Sequence, residues 1–305
     1  MTPRQCFDIC LTVLALSLVG APASARPVLE RVLDTPCRAV GLDREPYVAA
    51  LGADAVTVLD KRGQHQEALP EALRGAGMRL GVFFGRDYRV RVAGTARTPK
   101  GDEVRYYRSL PGGLKPALDE LGPLGKRGGP GLVALLGTAD PEIVCRPGEG
   151  CLIKRISGWS KAPAPADLSR VGLSLGQGWG VAGNTLLRLG TSWEPLPAGP
   201  WRTADDAFIR GPEACVVEHD ANRLHHFDGS AWHSSAAPIS GPRSLWASAE
   251  ALWLGGDGGA ARFEDGAFRE LEGVGQVAQV LGRDANDVWL CSSEGLFRAR
   301  EPARR

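Results

Sequence analysis

The chain has 305 residues, with 36 Lys/Arg against 35 Asp/Glu, 40 glycines, 22 prolines and aromatics at 7%. A net charge of +1 argues against nucleic acid as an obligatory partner, because neutralising phosphates takes a strongly basic face. Glycine at about twice its ordinary usage of ~7%, without a G-X-Y period, fits many short strands joined by tight turns.

Residues 1–25 read as a secretory signal. Arg4 supplies a thin positive region, Ile9 to Gly20 an apolar run, and Ala23-Ser24-Ala25 a cleavage site, so the mature chain is expected to start at Arg26. An apolar run of about twelve residues is too short to span a bilayer, which takes ~20. No later stretch is long and apolar enough to cross, so a soluble protein is expected, periplasmic or secreted, without a membrane span after signal removal. Cleavage removes Cys6 and Cys10 and leaves Cys37, Cys145, Cys151, Cys215 and Cys291. Cys145 and Cys151 flank the turn sequence RPGEG and would face each other across a hairpin as a disulfide in an oxidising compartment, two buried thiols being the alternative. The pairing of Cys37, Cys215 and Cys291 stays open.

The rest of the chain repeats one unit. Strand, turn, strand, turn and aromatic recur in WGVAGNTLLRLGTSWEPL from Trp179, CVVEHDANRLHHFDGSAWHSS from Cys215, WLGGDGGAARFEDGAFREL from Trp253 and WLCSSEGLFRAR from Trp289. A period near 40 residues with four short strands per unit predicts an all-β fold, a seven-bladed β-propeller, with six blades as the main alternative. The expected blades are 38–69, 78–121, 132–163, 171–196, 207–235, 243–272 and 277–300, in one domain from 26 to 305. The last blade ends after its third strand, while residues 26–33 form an orphan strand, so the N-terminal segment is expected to close the ring as the missing fourth strand. The tryptophans read as framework. The outer-strand anchors Trp159, Trp193, Trp232 and Phe268 recur at spacings of 34, 39 and 36.

VWLCSSEGLFR (288–298) and ALWLGGDGGAARFEDG (251–266) resemble the short repeat of two-component-regulator propellers, an apolar-Trp-apolar-Gly strand, a polar turn and a Gly-Leu strand ending in aromatic-Arg. NRLHHFDGSAW (222–232) adds the Asp-Gly-x-x-Trp ending of bacterial secreted propellers. The resemblance covers 179–300 and implies an extracytoplasmic propeller of a sensing or binding kind.

Chemistry is sparse. Four of the five histidines, His219, His225, His226 and His233, fall in blade five. His219, Asp220 and His225 are the residues that would hold a metal, but His225 and His226 point to opposite faces of one strand, so satisfied histidines and no metal are expected. Gly172-Leu-Ser174-Leu-Gly176 matches a nucleophile elbow in letters, yet a strand with no following helix is the wrong setting. From Arg74 to Arg127 there are 12 Lys/Arg against 5 Asp/Glu. Arg97 and Lys100, in an expected long loop (94–103), and Lys126 and Arg127, in a blade connection, would share a face as an anion-binding rim, or be solvated charges. No cofactor is implied. The reading is an exported, monomeric, non-enzymatic scaffold binding a protein or an anionic glycan through this face, with Arg97, Lys100, Lys126, Arg127, His219 and Asp220 as contacts. The alternative is a propeller-fold carbohydrate-active enzyme, lyase or hydrolase, using His219 and Asp220.

Overall fold

The computed structural model describes residues 27–74, 79–85, 87–98, 101–121, 133–135, 143–155, 158–174, 177–248, 251–264 and 267–300. Seven four-stranded antiparallel sheets make the chain a seven-bladed β-propeller. By compactness it divides into residues Arg38–Gly199 and a second unit, in which the N-terminal segment up to Cys37 joins the stretch from Pro200 onward.

The N-terminal strand β1 (Val28–Leu33) belongs to the second unit. The first unit holds blades one to four. Blade one is β2 (Ala39–Leu42), β3 (Val48–Leu51), β4 (Ala55–Asp60) and β5 (Gly63–Ala68). Blade two is β6 (Arg79–Phe84), β7 (Val90–Thr98), β8 (Gly101–Leu110) and β9 (Gly113–Pro116). Blade three is β10 (Val133–Leu135), β11 (Ile143–Arg146), β12 (Gly150–Arg155) and β13 (Gly158–Ala162); blade four is β14 (Leu168–Ser174), β15 (Gln177–Ala182), β16 (Thr185–Leu189) and β17 (Trp193–Pro195). In the second unit, blade five is β18 (Asp206–Arg210), β19 (Glu213–Glu218), β20 (Arg223–Phe227) and β21 (Trp232–Ala236). Blade six is β22 (Pro242–Ala247), β23 (Leu252–Gly256), β24 (Gly259–Glu264) and β25 (Ala267–Leu271); blade seven begins with β26 (Val277–Asp284), β27 (Asp287–Ser292) and β28 (Gly295–Arg300).

Blade seven takes its fourth strand from the other end of the chain. β1 pairs antiparallel with β28, from Val28 opposite Arg300 to Leu33 opposite Leu296. Gly295 is required at the turn: its φ is 138°, and a Cβ there would stand 2.1 Å from the Leu33 carbonyl oxygen. Just beyond β1, a disulfide joins Cys37 to Cys291 of β27. A second joins Cys145 and Cys151, which face each other across the β11–β12 hairpin. Cys215 is buried and takes no part in either.

Burial falls from the middle strands to the outer one, since neighbouring blades cover both faces of the former. All residues of β23 and β27 are buried, whereas β25 and β21 are partly exposed. Adjacent blades share apolar seams: Phe208, Val217 and Leu224 of blade five pack with Leu245, Leu254 and Phe263 of blade six. Trp253 is 1% exposed, and burying about 200 Å² at ~25 cal/mol/Å² stabilises by at most about 5 kcal/mol. Trp179 needs Gly172 opposite it, where a Cβ would meet the indole at 1.9 Å. That accounts for one glycine of the elbow-like sequence, and Ser174 ends a strand that is followed by another strand, β15.

One sequence expectation is corrected in blade two. The stretch 94–103 is not a long loop, because β7 and β8 run through it in register as far as Thr98 opposite Gly101. Gly94 to Thr98 stay paired, residue for residue, with Arg105 to Gly101.

Candidate functional site

Each antiparallel blade presents its turns at two ends. First-to-second and third-to-fourth turns emerge at one end; second-to-third turns and blade connections emerge at the other. Of the sequence-predicted residues, His219 and Asp220 belong to a second-to-third turn, and Arg97 to a strand that leads toward another. Arg97 sits in β7 with Asp102 opposite it in β8, but its side chain, like Lys100, Lys126 and Arg127, lies outside the described residues. The basic rim is therefore neither assembled nor dispersed by what is described.

His219 and Asp220 occupy the β19–β20 turn and are tied into the second unit. His219 Nδ1 is 2.9 Å from Asp220 Oδ1 and its Nε2 2.9 Å from Asp257 Oδ2 in the β23–β24 turn. Asp257 also accepts from Arg243 (2.9 and 3.0 Å) and from the Gln276 amide. With a carboxylate at each ring nitrogen, both must carry hydrogen. Asp220 first and Asp257 second hold the imidazole above its ordinary pKa, against burial and the Arg243 charge. Burial would raise the Asp257 carboxyl, but His219, Gln276 and Arg243 hold it low. The cluster is a clasp linking the loop ends of blades five and six to the entry of blade seven.

His225 is elsewhere. It is fully buried, with Nε2 3.2 Å from Glu218 Oε2 and Nδ1 2.8 Å from the Ser234 hydroxyl. Glu218 Oε1 accepts the Arg202 N–H at 2.9 Å, and the Trp201 ring lies 5.7 Å from the imidazole. Burial lowers the His225 pKa, Glu218 opposing. His219, Asp220 and His225 are thus not brought together, and among the described residues no group of three or more His, Cys, Asp or Glu could hold a metal ion.

Among the described residues, open space lies at the first-to-second and third-to-fourth turns of blades one and two of the first unit. A groove of about 780 Å³ is lined by β5 and the turns that carry Arg62, Tyr88, Arg89 and Gly112, with Ser109 of β8 and Leu114 of β9 on its far wall. Its cause is a missing aromatic. In later blades the residue opening the outer strand packs toward the preceding blade: Trp159 against blade two, Trp193 with its indole N–H donating to Cys151 Sγ of blade three, Phe268 against blade five. The cross-strand partners are Phe227 for Trp232 and Phe263 for Phe268. In blade two that position is Leu114, and its partner is Ser109. A leucine and a serine fill less volume than the paired rings of blades five and six, or than the tryptophans that stand opposite Lys154 in blade three and Leu189 in blade four.

The groove is polar at its floor and rim. Glu67 Oε1 accepts from the Ser109 hydroxyl at 2.5 Å, while Glu67 Oε2 is buried without a hydrogen-bond partner. Arg62 grips Asp60 through two nitrogens at 3.0 and 2.6 Å. Burial would raise the Asp60 carboxyl, and the Arg62 hydrogen bonds hold it below the ordinary range. Tyr88 has φ 57° and is 38% exposed, a conformation that costs a bulky residue about 1–2 kcal/mol. It is held by stacking on Tyr47 (5.1 Å) with Arg44 over its ring (4.4 Å). Sequence reading missed this site; the signal was the row of outer-strand anchors, aromatic in blades three to six and a leucine in blade two.

Neither a protein-family model nor a curated protein matches the sequence. Solved structures share the fold. The extracellular domain of a protein described as a hybrid two component system, BT4673 from B. thetaiotaomicron, superposes with a TM-score of 0.58 at 9% identity, covering 92% of this chain and 44% of that one. The chain thus spans less than half the length of that relative. YCF48 bound to D1 peptide gives a TM-score of 0.58 at 12% identity over 93% of this chain and 98% of that one. A chain of the mitotic checkpoint complex gives 0.55 at 10% identity over 95% and 98%. Similarity at these identities is of fold alone: the chain shares the β-propeller fold with each of these proteins.

Proposed function

We propose that this chain is an exported, non-enzymatic propeller scaffold that binds a protein partner, and that the groove between blades one and two is where it does so. The observation that carries the reading is the groove itself: a seam left open where the outer strands of blades three, four and six place an aromatic, flanked by two outer strands with unpaired edges. Two disulfides and the sequence of residues 1–25 support export. A structure of YCF48 with a bound peptide supports the use of such a fold for polypeptides. The anionic-glycan reading rests on Arg97, Lys100, Lys126 and Arg127 and has less to support it. His219 is held by a carboxylate at both ring nitrogens, which leaves the enzyme reading no free lone pair there to act as a base.

The test is panning a displayed peptide library on the mature chain and on Leu114→Trp, which restores the missing anchor. Peptides enriched on the wild type and not on Leu114→Trp are expected. Enrichment that ignores the substitution, or a glycan array that binds where peptides do not, would overturn the proposal.

A further inference from the structure

Resting on that reading, we infer that the groove selects a lysine or arginine side chain carried by an extended stretch of the partner protein, with Glu67 as the residue that receives it. Glu67 is the carboxylate of the groove floor whose nearest hydrogen-bond donor is neutral. Its Oε1 takes the Ser109 hydroxyl, and its Oε2 is buried with nothing to accept from. A buried carboxylate oxygen without a donor is unfavourable, and a cationic donor relieves it with a hydrogen bond about twice as strong as a neutral one.

The groove's own guanidinium groups are engaged elsewhere. Arg62 is on Asp60, Arg89 is 3.8 Å from Asp87, and Arg44 lies over the Tyr88 ring. Arg62 hydrogen-bonds Asp60 and reaches Glu67 only through its charge, so Glu67 is the floor carboxylate without a cationic hydrogen-bond donor. A single carboxylate of this kind fits a point cation better than a metal ion, which takes several oxygen ligands.

The polypeptide setting comes from the walls. β5 and β9 are the terminal strands of their sheets, each with one edge unpaired, so backbone groups stand ready beside the groove for an extended segment. Tyr88 at the rim offers an aromatic ring against which an aliphatic stem packs.

The experiment uses the mature chain and fluorescein-labelled decapeptides of alternating threonine and alanine, with lysine, arginine, norleucine or glutamate at the centre, read by anisotropy. Lysine and arginine peptides are expected to bind about tenfold tighter than norleucine, a difference of about 1.4 kcal/mol. Glu67→Gln should erase that advantage and leave norleucine binding in place. Ser109→Arg, which sets a guanidinium beside Glu67 from within, should do the same should Glu67→Gln fail to fold. Equal binding of all four peptides, blocked by Leu114→Trp, would discard the preference for a cation and keep the groove as a protein site. No peptide bound, with library capture indifferent to Leu114→Trp, would discard both. Oligosaccharide binding that depends on Glu67 would overturn the choice of ligand.

Discussion

One seam of the first compact unit differs from the seams of the second. In the second unit, the five–six seam holds Phe208, Leu245, Phe263 and the half-buried Phe268, the six–seven seam holds Trp253, Leu290 and Phe297, and the loop ends are clasped by His219, Asp257 and Arg243. In the first unit, the one–two seam is apolar in its inner part, with Leu51, Val56, Val82 and Val92, and opens outward onto Glu67, Ser109 and Leu114. Identical topology therefore does not imply identical seams. A blade is specified by alternation along its strands, but how tightly it seals against its neighbour depends on a few outer-strand side chains.

The strongest way to break the contrast is to unfasten the second unit. The Cys37–Cys291 disulfide spans 254 residues of sequence and Cys145–Cys151 only 6. The chain-entropy model assigns about 5 kcal/mol to a closure of the first size and about 2 kcal/mol to the second. Replacing Cys37 and Cys291 by serine should lower the denaturant midpoint more than replacing Cys145 and Cys151; an equal or smaller loss would show that chain closure does not govern this unit. Deleting residues 27–33 should act in the same direction, because it bares the edge of β28.

Next in size is a sealed seam made to resemble the open one. Phe268→Ala should cost about 3–5 kcal/mol in urea unfolding, the range for buried Phe truncations, with the lower end expected for a half-buried ring. The converse, Leu114→Trp, should leave stability unchanged or higher. A loss of several kcal/mol there would show that the groove is not vacant space of the right shape.

Acid offers a smaller test. Burial pushes the His226 pKa down to about 4. Between the unfolded value of 6.5 and that folded value, the unfolded chain binds the extra proton, so stability falls as pH drops through the window, by up to about 3 kcal/mol. His219 has the opposite sign: its folded pKa is raised, so its contribution is complete below the unfolded value and fades as pH rises through the folded one. His226→Leu should flatten the loss of melting temperature between pH 6.5 and 4. An unaltered pH profile would place the acid sensitivity elsewhere.

The smallest stability effect belongs to Glu67→Gln, a half-buried residue whose substitution keeps an acceptor for Ser109. A midpoint within about 0.5 kcal/mol of wild type, as for ordinary surface changes, measured alongside lost lysine-peptide binding, would separate binding from framework at this position.

Much of the fold was legible before any coordinates. Trp179, Trp253 and Trp289 mark buried middle strands, and the orphan segment at Val28–Leu33 pairs where the truncated last blade lacked a partner. The site was less so. His219 and Asp220 stand in the turn where they were expected, but the carboxylate that completes the clasp, Asp257, lies 38 residues away. The 94–103 stretch reads as a loop because its Thr, Lys and Gly composition is that of a turn, whereas cross-strand pairing makes 94–98 and 101–103 sheet.

Local alternation and a period near 40 residues are properties of the chain itself, since strand faces and blade length follow from backbone geometry and spacing. From them the sequence alone yielded the propeller architecture, seven blades with six as the alternative, and the N-terminal closing strand; the sheet pairing decided for seven. Tertiary structure alone decided which side chains meet across blades: Cys37 with Cys291, His219 with Asp257, Glu67 with Ser109. Those meetings depend on how one blade's outer strand lies against the next. There, the difference in size between a leucine and a tryptophan separates a sealed seam from a groove.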